Sequence, residues 1–110
     1  MSELRDIRAA AALMRERALA ATGSPWVADD TEIYSEVQGG SWVAETLQLD
    51  DATAGAANGE HIASWDPAVA EAVADLLDGL VSFYISYGIE PTEPVLAVVR
   101  AYLRTPAVTA

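Results

Sequence analysis

Asp66-Pro67, followed by a long stretch whose apolar positions return every three or four residues, constrains this chain more than anything else in it. An aspartate caps a helix by accepting from its free backbone donors, and a proline at the first helical position loses nothing by lacking an N–H. From there Val69, Val73, Leu76, Leu80, Phe83 and Tyr87 form a stripe that Leu77, Val81 and Tyr84 broaden, the pattern of a helix buried along one face. Gly88 then supplies a residue at ease in the left-handed conformation in which helices end. The spacing predicts a central helix over 67–87, which the rest of the chain must cover.

Before it, Leu4, Ile7, Ala11, Met14 and Ala18 mark one face of a helix over 2–21, ended by Thr22-Gly23-Ser24-Pro25. The period then changes. Trp26-Val27-Ala28, Glu32 to Val37 and Ser41 to Leu47 are short, β-branched and aromatic, which predicts a three-stranded antiparallel meander over 26–48. Gly39-Gly40 suits the tight turn between the last two strands. Ile33, Ser35 and Val37 fall on one face and Tyr34 and Glu36 on the other, with Trp26 and Trp42 expected as anchors of the buried side. A short helix over 53–64 is expected despite Gly55 and Gly59, and a last one over 93–104, with Val95, Val98, Val99 and Tyr102 inward and Arg100 and Arg104 complementing its dipole. The expected fold class is therefore α+β in a single domain over 1–110: an N-terminal helix, a β-meander, then two to three helices packed on one face of the sheet.

Charge is distributed unevenly. The net charge is -11 and all six basic residues are arginine, placed at Arg5, Arg8, Arg15 and Arg17 and again at Arg100 and Arg104. Between Ala18 and Val99 there is no cation, while all of the 17 acids except Glu3, Asp6 and Glu16 fall there. Binding to a phosphate backbone depends on Lys and Arg releasing counterions, so direct nucleic-acid binding is not expected. A basic partner fits this layout, with Glu71, Asp75 and Asp78 on the outer face of the central helix as candidate partner-binding residues. Much apolar surface must share one thin core, which predicts a homodimer or higher homo-oligomer through Phe83, Tyr84, Tyr87 and Tyr102. No apolar run approaches the roughly 20 residues of a membrane span, so no membrane partner is expected and the cytoplasm is the expected location.

Chemistry has few residues to work with. The chain has one histidine, no cysteine and no lysine. His61 and Ser64, three positions apart on a helix, are the only neighbours of nucleophile and base type, and neither a nucleophile elbow nor an oxyanion loop accompanies them. Glu60, His61 and Asp66 with the Asp29-Asp30 and Asp50-Asp51 pairs lack the spacing of a transition-metal or EF-hand site. No phosphate-cradling glycine motif is present. No catalytic residue, metal or cofactor is expected.

The run Arg15-Glu16-Arg17-Ala18-Leu19-Ala20-Ala21-Thr22-Gly23-Ser24-Pro25-Trp26, a short meander, and then His61-Ile62-Ala63-Ser64-Trp65-Asp66-Pro67-Ala68-Val69 with Ala72 to Asp78 resembles the small Ea22-like accessory proteins of phages and prophages. It looks especially like versions from phages of high-GC actinobacteria, whose usual A-T-P-G-P-W here reads Ala21-Thr22-Gly23-Ser24-Pro25-Trp26. The tail from Glu93 to Leu103 is similar as well. That resemblance carries no catalytic residue set. It implies a non-enzymatic accessory protein that binds a host protein in the host cytoplasm, or alternatively a DNA-mimic or ligand-sequestering inhibitor of a host defence system.

Overall fold

The computed structural model describes residues 2–36, 42–46 and 52–103. Its elements are α1 (Ser2–Ala20), β1 (Trp26–Asp29), β2 (Glu32–Ser35), β3 (Trp42–Glu45), α2 (Ala52–Ala63), α3 (Pro67–Tyr87) and α4 (Glu93–Leu103). The α+β class and the element order agree with the sequence pattern, and the helix ends fall within a residue of those expected. Val37, Gly39-Gly40 and Arg104 lie outside the described residues. The chain gathers into two compact units, Met1–Glu16 with Glu71–Ala110, and Arg17–Ala70.

The first unit has a helical core. Ile7, Ala10, Ala11 and Met14 of α1 meet Ala74, Leu77, Val81 and Tyr84 of α3 and Leu96 and Val99 of α4, all buried. Each set recurs at three- and four-residue steps, as one helix face must. Leu4, Val73, Leu80, Val95, Tyr102 and Leu103 pack around the edge. On α3 this moves the core face away from the expected stripe. The residues that were to broaden it, Leu77, Val81 and Tyr84, are its centre, while Leu76 and Tyr87 are 60% and 69% exposed. Burial follows the small residues: Ala10 and Ala11 of α1 and Ala74 of α3 are fully buried and let the helices approach closely. Gly88, with φ of 63°, ends α3 as expected.

The second unit is built on the sheet, with strand order β1-β2-β3, antiparallel throughout. Asp29 pairs with Glu32, so Asp30-Thr31 is a two-residue turn, and Asp30 has the positive φ (58°) that such a turn requires. Ile33 and Ser35 of β2 are fully buried, and the Ser35 hydroxyl donates to the Gly23 carbonyl at 2.6 Å. Among the helices it is α2 that packs on β1 and β2. Gly59 explains how close it comes, because a Cβ there would lie 3.1 Å from the Asp30 carbonyl oxygen. Asp66, 7% exposed, serves two segments: Oδ1 accepts from Val69 N–H at 3.2 Å, capping α3, and Oδ2 accepts from Trp26 N–H at 3.1 Å, fixing the start of β1. The Ser24 hydroxyl accepts from Ala68 N–H at 2.8 Å, so a second free donor of α3 is satisfied from the same loop.

Candidate functional site

The outer face of the sheet, opposite the side of Ile33 and Ser35, carries two cross-strand rows. In one, Val27 pairs with Tyr34 and Tyr34 with Trp42. In the other, Asp29 pairs with Glu32 and Glu32 with Glu45. Residues two apart on a strand share a face about 6.6 Å apart, and neighbouring strands lie about 4.8 Å apart. An apolar and aromatic row therefore runs alongside a row of three carboxylates. Trp42 is 60% exposed and Val27 40%, while Tyr34 is half-buried.

A β-bulge creates this arrangement. Ile33 pairs with Ala44, but the next residue of β2, Tyr34, pairs with Trp42, so Val43 has no opposite number. In regular pairing Tyr34 would face Val43 and Trp42 would share the buried side of Ser35. The extra residue turns Trp42 to the outer face, which corrects its expected role as a core anchor. Trp26, half-buried, donates from its indole N–H to the Thr22 carbonyl at 2.8 Å.

Electrostatics distinguish this face from an ordinary polar surface. Like charges directly opposite one another on neighbouring strands repel, and among the described residues no cation pairs with Asp29, Glu32 or Glu45. The Tyr34 hydroxyl donates to Glu32 Oε1. That hydrogen bond, then partial burial, then the negative charges of Glu32, Asp29 and Glu45, push the phenol above its ordinary ionisation range. The face combines exposed π-surface with uncompensated carboxylate, the two features by which guanidinium and ammonium groups are recognised.

The residues expected from sequence to bind partners are placed differently. Arg15 donates to Asp75 at 2.8 Å and to Asp78 at 2.6 Å. Those two carboxylates raise the pKa of the guanidinium, the hydrogen bond to Asp75 contributing most. Two of the three candidate acids on α3 are thus already engaged by Arg15, and Glu71 is exposed. Of the aromatic residues expected to mediate self-association, Tyr84 is only 3% exposed and belongs to the core, and Tyr102 packs half-buried against it. Phe83 and Tyr87 remain exposed, their ring centroids 4.8 Å apart.

His61 is exposed, and the Ser64 hydroxyl donates to the His61 backbone carbonyl at 2.6 Å rather than to its imidazole. A cleft of about 270 Å³ at the C-terminal end of α3 is lined by Glu3, Leu4, Tyr84, Ile85 and Gly88 to Pro91. Its one buried hydroxyl, on Tyr84, is turned to the Thr92 N–H at 3.4 Å. Among the described residues no three His, Asp or Glu side chains gather to hold a metal, and no helix is long and apolar enough to cross a membrane.

Val27, Asp29, Glu32 and Glu45 are the site residues that sequence reasoning missed. Alternation along β2 places Tyr34 on the outer face, and the two-residue turn at Asp30-Thr31 sets Asp29 beside Glu32. The bulge leaves no sequence mark, and without it Trp42 stays hidden. Comparison of the chain with protein-family models, with curated proteins and with solved structures gives no match.

Proposed function

We propose that this is a non-enzymatic interaction protein that docks a basic segment of another protein on the outer face of its sheet. The observation that carries this reading is the pairing of the exposed Val27–Tyr34–Trp42 row with the unneutralised Asp29–Glu32–Glu45 row. An arginine or lysine side chain laid over Trp42 gains a cation–π contact worth roughly 0.5–2 kcal/mol and, one residue spacing away, reaches carboxylates whose mutual repulsion it relieves. The resemblance to phage accessory proteins supports assigning the basic segment to a host protein, with the host cytoplasm as the place of action. The Arg15 clasp on Asp75 and Asp78 weighs against the α3 acids as the recognition surface and against a continuous line of free carboxylates mimicking DNA.

Titration of a short arginine-rich peptide into the protein, followed by tryptophan emission and repeated at rising salt, tests this. Saturable binding that weakens with salt is expected. Trp42→Ala, which removes an exposed ring and leaves the core intact, is expected to weaken binding by about fivefold or more, the equivalent of about 1 kcal/mol. Glu32→Gln with Glu45→Gln is expected to do at least as much. Equal affinity in all three proteins rules the sheet face out.

A further inference from the structure

We propose that α3 pairs with α3 of a second copy of this chain, the two helices antiparallel and crossing at Gly79. The surface involved is separate from the sheet face, so either proposal stands or falls without the other. Ala72, Leu76, Gly79, Phe83 and Ser86 are all exposed and alternate in four- and three-residue steps. That period keeps one line of side chains facing a neighbouring helix. The chain's own core occupies the adjacent face, through Ala74, Leu77, Val81 and Tyr84, and leaves this line uncovered.

Three observations favour a second copy as the occupant. In a chain of net charge -11 the line bears no charge, and Asp75 at its border is held by Arg15. Two copies meet there without bringing like charges into contact, whereas a basic partner gains nothing from it. Gly79 costs helix stability in mid-helix, yet among the described residues nothing beyond its own helix backbone lies within 4 Å of where its Cβ would be, unlike Gly59 against the Asp30 carbonyl. Close approach of another backbone accounts for it. Leu76 and Phe83 stand three and four residues either side of Gly79, so a two-fold axis at the glycine sets Leu76 of each copy alongside Phe83 of the other and the two glycines face to face at the crossing. The antiparallel sense follows from bulk: Phe83 and Tyr87 widen one end of the line and Ala72 narrows the other, so parallel helices would be splayed by stacking the wide ends.

Sedimentation velocity and cysteine cross-linking test this, the latter helped by a chain that has no cysteine of its own. The protein is expected to sediment as a dimer, and Phe83→Glu as a monomer. Gly79→Leu fills space that is open in the single chain, so it is expected to weaken dimerisation by about tenfold or more without lowering the melting temperature of the dilute protein. Under mild oxidation Gly79→Cys is expected to form a disulfide-linked dimer rapidly. Ala72→Cys is not, because antiparallel crossing at Gly79 separates the two copies of that position by about 21 Å along the helix axis. A monomer at every concentration, undiminished dimerisation of Gly79→Leu, or cross-linking of Ala72→Cys as fast as that of Gly79→Cys overturns the proposal.

Discussion

Tyr34 reports on the charge of the sheet face through a single proton. Its pKa lies above the ordinary 10.0, chiefly because its hydroxyl donates to Glu32. A group whose pKa is raised on folding contributes stability that is complete below the unfolded value and is lost as pH climbs through the folded one. The hydrogen bond is therefore fully present at neutral pH, and its loss belongs to the alkaline limb above 10.0. An absorbance titration of the wild type minus that of Tyr34→Phe should give a phenolate midpoint above this value; a midpoint at or below it would mean that Glu32 does not hold the hydroxyl. Asp66 works by a different route, with one oxygen on Val69 N–H and the other on Trp26 N–H. Asp66→Ala removes a helix cap and a charge-assisted hydrogen bond together, and should cost about 2–4 kcal/mol. Asp66→Ser restores only the cap and should recover about 1 kcal/mol of that in chemical denaturation. The capping role was legible in the sequence, because Asp-Pro before an apolar run has a local mechanism. The bond to Trp26, 40 residues away, was not.

Helices and strands were legible as types and, for the helices, nearly to the residue, since periodicity and caps are local properties. Which face of α3 is buried was not legible. Apolar residues occupy more than half of its circumference, so the stripe through Leu76 and Phe83 and the stripe through Leu77 and Val81 fit a helical period equally well, and the alanines of α1 decide between them. Gly59 shows the same dependence on a partner element. In sequence it argues against a helix; in the fold it is the residue that lets α2 lie against the Asp30 carbonyl, 3.1 Å from where a Cβ would sit. Gly59→Val should therefore destabilise the protein by about 1–3 kcal/mol through overpacking, despite the gain in helix propensity. A melting temperature equal to or above that of the wild type would show that α2 has room to withdraw.

Across the whole chain, cations sit only near the two ends of a sequence with net charge -11. Each of the ion pairs Arg15–Asp75, Arg15–Asp78 and Arg100–Glu93 is solvent-exposed and screened, and such pairs contribute about 0–1 kcal/mol. Repulsion among the remaining carboxylates outweighs them. Stability should therefore rise as salt increases from ~0.01 M to ~1 M, over which the screening length falls from ~30 Å to ~3 Å. A flat or falling thermal midpoint would show that the exposed ion pairs dominate instead. The bulge at Val43 has a consequence for how such a protein changes over generations. Substitutions alter the outer sheet face one side chain at a time, and loss of the single codon for Val43 would leave Trp42 opposite Tyr34 in regular pairing, but a slip that pairs Val43 itself with Tyr34 carries Trp42 to the inner side and dismantles the aromatic row in one step. A change in the register of β3 against β2, more than a change of any one side chain, is the event by which relatives of this chain would gain or abandon a binding surface.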